Sequence, residues 1–105
     1  MPDFEVRFSG NKRMAVVVVR KLTVLEWSSF HQKVKEIPDV GAKVALVDLR
    51  ELGPEGLDAS GITALQGLMR RIRTQGCRSW AFGARPELEQ MLARMQVLDF
   101  MTSRT

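Results

Sequence analysis

Cysteine and histidine are nearly missing from this 105-residue chain, which has one of each, Cys77 and His31. A single thiol forms no internal disulfide, and Cys77 has no partner at metal-binding spacing. One histidine beside one cysteine is too few ligands for a structural zinc site, so neither metal nor cofactor is expected. Long apolar runs are missing as well. The longest, Met14 to Val19, spans six residues, far below the roughly 20 that a membrane helix requires. Direct membrane insertion is therefore not expected. The start, Met1-Pro2-Asp3, shows no basic region followed by an apolar one, and the expected compartment is the cytosol. There is no G-x-x-x-x-G-K-[ST] sequence, and Gly53-x-x-Gly56 alone does not make a phosphate cradle.

The net charge of +4 and isoelectric point of about 9.8 raise the question of nucleic acid. No helix-turn-helix, zinc-finger or RNP signature accompanies that charge. The basic residues are scattered, and Arg70, Arg71 and Arg73 form the one dense cluster. They read as the solvated face of a helix, ahead of a contact with an acidic protein, with nucleic acid last. What remains is an ordinary globular balance, 45% hydrophobic and 27% charged, long enough for one core. A single domain over 1–105 is expected, with its core from about 4 to 101.

The chain opens as a hairpin. Phe4, Val6 and Phe8 alternate with Glu5 and Arg7, the period of a half-buried edge strand. Ser9-Gly10-Asn11-Lys12 supplies turn residues. Met14 to Val19 then reads as an interior strand, β-branched and apolar on both faces. Thr23 and Glu26 fit a capping box, which predicts a helix with Trp27, Phe30, Val34 and Ile37 on one apolar stripe. Pro38 is expected to close it. Lys43 to Leu49 reads as a buried strand, followed by a loop from Arg50 to about Ala59. A second helix is predicted from near Ser60, with Ile62, Leu65, Leu68, Met69 and Ile72 inward and Gly76 as its stop. Ser79 to Gly83 reads as a short strand. Pro86 opens a third helix whose buried face is Leu88, Met91, Leu92 and Met95. Leu98, Phe100 and Met101 are expected to fold onto the core. The order β-β-α-β-α-β-α predicts an α/β fold, a mixed sheet with an N-terminal hairpin followed by parallel strands, with helices packed on it.

Chemistry is sparse. His31 falls mid-helix, beside a stripe position, and reads as a boundary residue rather than a base for a nucleophilic serine. Cys77 reads as buried and inert. Asp48, Glu55 and Asp58 could gather near the end of the central strand, but they lack the polar company of a metal or acid–base site. No catalytic residue is assigned, and an enzyme is not expected. Ser60 stands out instead, at a helix start beside unpaired N–H groups and the positive end of the dipole. As an N-cap it would contribute roughly 1 kcal/mol. As a phosphorylation site it would gain roughly −1.5 to −2 charges. Free helix N–H groups would tolerate that charge, while Asp58 and any docked partner would be repelled.

The stretch from Val44 to Leu49, followed by Leu57-Asp58-Ala59-Ser60-Gly61-Ile62-Thr63-Ala64-Leu65, resembles the STAS domain of bacterial anti-sigma factor antagonists. Their pattern is an apolar strand ending in Asp-Leu, then D-[ST]-[ST]-G at a helix start. Gly76 to Gly83 is similar to the family's glycine-led fourth strand, and Leu88 to Phe100 to its last helix and tail. The resemblance spans about residues 4 to 101. It implies that Ser60 is phosphorylated by a serine kinase that is also an anti-sigma factor, and that a PP2C-type phosphatase resets it. The unphosphorylated form would bind the kinase through Glu55, Asp58, Ala59, Ser60, Gly61, Ile62 and Thr63. The chain departs from the pattern in three places. Ala59 replaces the first Ser/Thr, the loop after Asp48 is about two residues longer, and Arg20-Lys21-Leu22-Thr23 lacks the usual Gly-x-Leu-Asp. A second reading within the same resemblance is a structural STAS subunit of a lipid-transport ABC complex or a stressosome-like assembly. There Ser60 would have no phosphorylation cycle. A neighbouring gene for a kinase or phosphatase would favour the switch, and one for a permease or ABC subunit the scaffold.

Overall fold

In a computed structural model, which describes residues 3–94, four strands form one sheet in the order β1-β2-β3-β4. The strands are β1 (Phe4–Phe8), β2 (Met14–Val19), β3 (Val44–Asp48) and β4 (Arg78–Phe82). β1 pairs antiparallel to β2, and β2–β3 and β3–β4 pair parallel. The mixed sheet read from the sequence is the sheet observed.

One face of the sheet presents Ala15, Val17, Val19, Ala45, Val47 and Ala81 to the helices, and all six are buried. The expected edge strand has the predicted phase. Phe4, Val6 and Phe8 pack against the core, and the Phe4 ring meets Phe30 edge-on at 5.3 Å. β2 is two-sided toward its end, as expected of an interior strand. On the opposite face Met14 is exposed and Val16 half-buried, while Val18 is buried.

The helices are α1 (Trp27–Val34), α2 (Glu36–Asp39), α3 (Ala59–Thr74) and α4 (Pro86–Arg94). Two sequence expectations for the first helix change. Phe30, Val34 and Ile37 are buried, but Trp27 is exposed. It is the first residue of α1 and turns outward, its ring 4.3 Å from that of His31. Pro38 does not close the helix either, because it lies inside the four-residue α2. A proline without an N–H is tolerated within the first turn, where that donor has no intrahelical acceptor. The capping box forms by half. Glu26 Oε1 accepts from the Thr23 N–H at 2.8 Å and from its hydroxyl at 2.7 Å, while the Glu26 N–H bonds the Thr23 carbonyl.

Gly76 stops α3 as predicted. At φ +82° it donates to the Arg73 carbonyl, and Cys77 donates to that of Ile72, closing a Schellman motif. Leu88 and Leu92 of α4 are buried. Met95, Leu98, Phe100 and Met101, expected on the core, lie outside the described residues, as does the Met91 side chain.

Between β3 and α3 the chain is better packed than a plain loop. Leu49, Leu52 and Leu57 are buried around a 3-10 turn at Pro54–Gly56. The Leu22 N–H donates to the Gly56 carbonyl at 2.6 Å, which joins this connection to the exit of β2.

Candidate functional site

The site is the start of α3, where two connections meet. Asp58 has extended backbone angles and caps the helix, its Oδ1 accepting from the Gly61 N–H at 2.8 Å. Its Oδ2 accepts from the Val24 N–H at 3.1 Å, so one carboxylate ties the segment entering α1 to the start of α3. The N–H of Gly61 above all, helped by those of Val24 and Ser60, holds the Asp58 carboxyl below the usual carboxylate range despite some desolvation.

Here the structure corrects the sequence reading. Asp58 is the N-cap, and Ser60 is the second residue of α3. Its hydroxyl is left outside the capping interaction, and the N–H groups expected to greet a phosphate already face a carboxylate.

The other predicted contact residues divide by burial. Ala59, Glu55 and Thr63 are exposed, and Ser60 and Asp58 are half-buried. Gly61 and Ile62 are buried and offer no side chain to a partner. Ile62 belongs to the inward stripe of α3. Gly61 lies so close to β2's exit that a Cβ there would stand 2.0 Å from the Leu22 carbonyl oxygen. The glycine of the Asp-Ala-Ser-Gly turn is therefore a packing requirement.

Asp48, Glu55 and Asp58 do not form a metal-binding group. Asp48 is buried and held by Arg50, which donates from its backbone N–H at 3.0 Å, from Nε at 3.0 Å and from Nη2 at 2.9 Å. Those bonds, led by the guanidinium's, push the Asp48 carboxyl below its ordinary value. Among the described residues no group of three potential metal ligands occurs. His31 lies against Gly67, seven residues beyond Ser60 and so about 10 Å along the helix. Cys77 is buried, and burial raises its thiol pKa.

Sequence reasoning missed two residues here. Ser60 lies in a shallow depression of about 350 Å³ lined by Val24, Trp27, Ala59, Ser60 and Thr63. Val24 comes from the connection after β2 and Trp27 from the first position of α1, 36 and 33 positions before Ser60. A signal was present for Val24, which falls out of phase with Phe30, Val34 and Ile37, whereas Trp27 shares their phase and gave none.

No protein-family model and no curated protein sequence matches the chain. Solved structures do. Protein TM1081 of Thermotoga maritima superposes with a TM-score of 0.80 at 12% identity, over 99% of this chain and 82% of that one. RsbS of Moorella thermoacetica gives 0.79 at 17%, over 98% and 86%. The Bacillus cell-fate determinant SpoIIAA in its phosphorylated form gives 0.74 at 15%, over 97% and 91%. SpoIIAA, an anti-sigma factor antagonist, is also solved unphosphorylated. At such identities the likeness is one of fold, and the fold is the one expected from the resemblance to anti-sigma factor antagonists.

Proposed function

We propose that this chain is a non-enzymatic regulatory protein of the anti-sigma factor antagonist type, a partner-switching module controlled by reversible phosphorylation of Ser60. The observation that carries this reading is the position of Ser60. It is half-buried at the second residue of α3, outside the helix cap, and lines an open, mostly apolar depression with Val24 and Trp27. A fold neighbour that exists in phosphorylated and unphosphorylated forms supports the same reading.

The electrostatics explain how one phosphate would act. A phosphoserine brings nearly two negative charges. Beside it the Asp58 carboxylate is ionised and already uses the Gly61 N–H, so the helix start has little left to neutralise a dianion. The phosphate would stand out into the depression, hydrated, against Val24 and Trp27. A partner docked there would have to strip water from a dianion with no counter-charge in place, which is strongly unfavourable. The fold itself would hardly change, because the cap and the buried Gly61 and Ile62 are untouched. Glu55, Ala59 and Thr63 form the exposed rim of the recognition surface. The proteins acting on Ser60 would be a serine kinase of the anti-sigma factor type and a PP2C-type phosphatase, in the cytosol.

The test compares wild type with Ser60→Ala and Ser60→Asp in the native host. Opposite phenotypes are expected from the two variants, together with a phosphate-dependent gel shift that both lose. Two variants that match wild type, with no phosphorylated Ser60 found by mass spectrometry, would end this reading.

A further inference from the structure

Among the described residues, the exposed large apolar side chains are Met14, Val24, Leu25, Trp27 and Val40. Three of these five fall within four consecutive positions, with Val24 64% and Leu25 80% exposed. The backbone that carries them is firmly held. Leu22 donates to Gly56, Val24 to Asp58, and Glu26 accepts from Thr23. A ridge of aliphatic and aromatic side chains is thus displayed to water on a fixed base, which contributes little to the fold and marks a contact surface.

The ridge has two unlike flanks. On one lies the apolar depression that holds Ser60. On the other lies an open groove of about 770 Å³, bordered by Leu25 and carrying Asp3, Glu26 and Glu36 against Lys33. Three carboxylates and one ammonium make that groove acidic on a chain whose overall charge is +4.

We propose that the Val24–Leu25–Trp27 ridge is the anchor for the partner that Ser60 controls, and that the partner docks with a basic segment bearing an exposed apolar side chain. The inference rests on the switch reading above. The apolar side chain packs on Leu25 and Trp27 and reaches over the Ser60 depression. The accompanying lysine or arginine residues face Asp3, Glu26 and Glu36 on the far flank. Charge complementarity selects this occupant. The arrangement also separates affinity from control. The acidic groove attracts the partner whatever the state of Ser60, and a phosphate abolishes the apolar contact beside it.

The experiment is photo-crosslinking in the native host, with a photoreactive phenylalanine derivative in place of Leu25, Thr63 or Gln90, the last an exposed residue of α4. The same protein should be captured from positions 25 and 63 and not from 90, and lost in both when Ser60→Asp is added. With that protein purified, Leu25→Ser and Trp27→Ser should each weaken binding by about tenfold or more, as loss of an apolar anchor does. Glu36→Lys should weaken it too, by an amount that disappears in about 1 M salt, where screening acts over about 3 Å. Val40→Ser should leave binding unchanged. Capture from 63 without 25 overturns the ridge and leaves the switch standing. Capture from both with Ser60 never phosphorylated removes the switch and leaves the ridge. Crosslinks only between copies of this chain, or a Glu36→Lys variant that binds as wild type, overturn the basic partner.

Discussion

A hydrogen atom is all that Gly61 can place between its Cα and the carbonyl oxygen of Leu22, since a Cβ would come within 2.0 Å of backbone. Backbone oxygens do not rotate away as side-chain ends do. Gly61→Ala is therefore expected to cost about 3 kcal/mol, at the upper end of overpacking effects, by prising β2's exit from α3. Urea unfolding checks this, and a loss below about 1 kcal/mol would mean that the contact relaxes freely. Ser60 is the opposite case. With Asp58 as the cap, Ser60→Ala should change stability by less than about 0.5 kcal/mol, as surface substitutions do. A loss near 1 kcal/mol would restore Ser60 as the cap. Cys77 gives a third expectation at this scale. Its buried thiol, with a pKa raised by desolvation, should react with a thiol reagent only as the protein unfolds. Rapid labelling of the native protein would contradict its burial.

The first helical region shows how far periodicity reaches. Phe30, Val34 and Ile37 keep one apolar phase from α1 into α2, and they are buried as that phase requires. Trp27 shares the phase yet is exposed, because it begins α1 and its ring turns outward against His31. Phe30→Ala should thus cost about 3–5 kcal/mol, while Trp27→Ala should cost less than about 1 kcal/mol. Thermal or urea unfolding of the two variants separates them, and equal losses would place Trp27 in the core. The connection before α3 errs in the other direction. Its Gly53, Pro54 and Gly56 read as turn residues, and they do make a 3-10 turn. Yet Leu52 and Leu57 are buried, which no repeat period announces in so short a segment.

At the scale of the whole molecule, carboxylates set the response to acid. Glu5 is held low by Arg7 above all, Asp48 by Arg50, and Asp58 by the Gly61 N–H. A folded-state pKa below the unfolded value means stability that is present above about pH 4 and is lost as pH falls through the lowered folded values. The melting temperature should stay level from pH 7 to about pH 5 and fall steadily below about pH 4. Asp48→Asn combined with Asp58→Asn should flatten that fall, and an unchanged slope would assign acid sensitivity elsewhere.

The alternation of strands and helices, apart from the break between α1 and α2, the inward residues of β1 and α3, and the Gly76 stop followed from sequence alone. Each depends on local geometry, because a backbone period fixes which side chains share a face, and a glycine accepts φ angles other residues avoid. The Asp-Ala-Ser-Gly turn was legible in the same way, as polar residues at a helix start. Its assembly was not. Asp58 as tether of Val24, Gly61 against Leu22, and Trp27 as a wall beside Ser60 are contacts between segments more than 30 residues apart. Periodicity says which face a residue takes and nothing about what will stand opposite it. Only the packing of β2's exit against the start of α3 decides that, because two connections of one chain must share the same few ångströms.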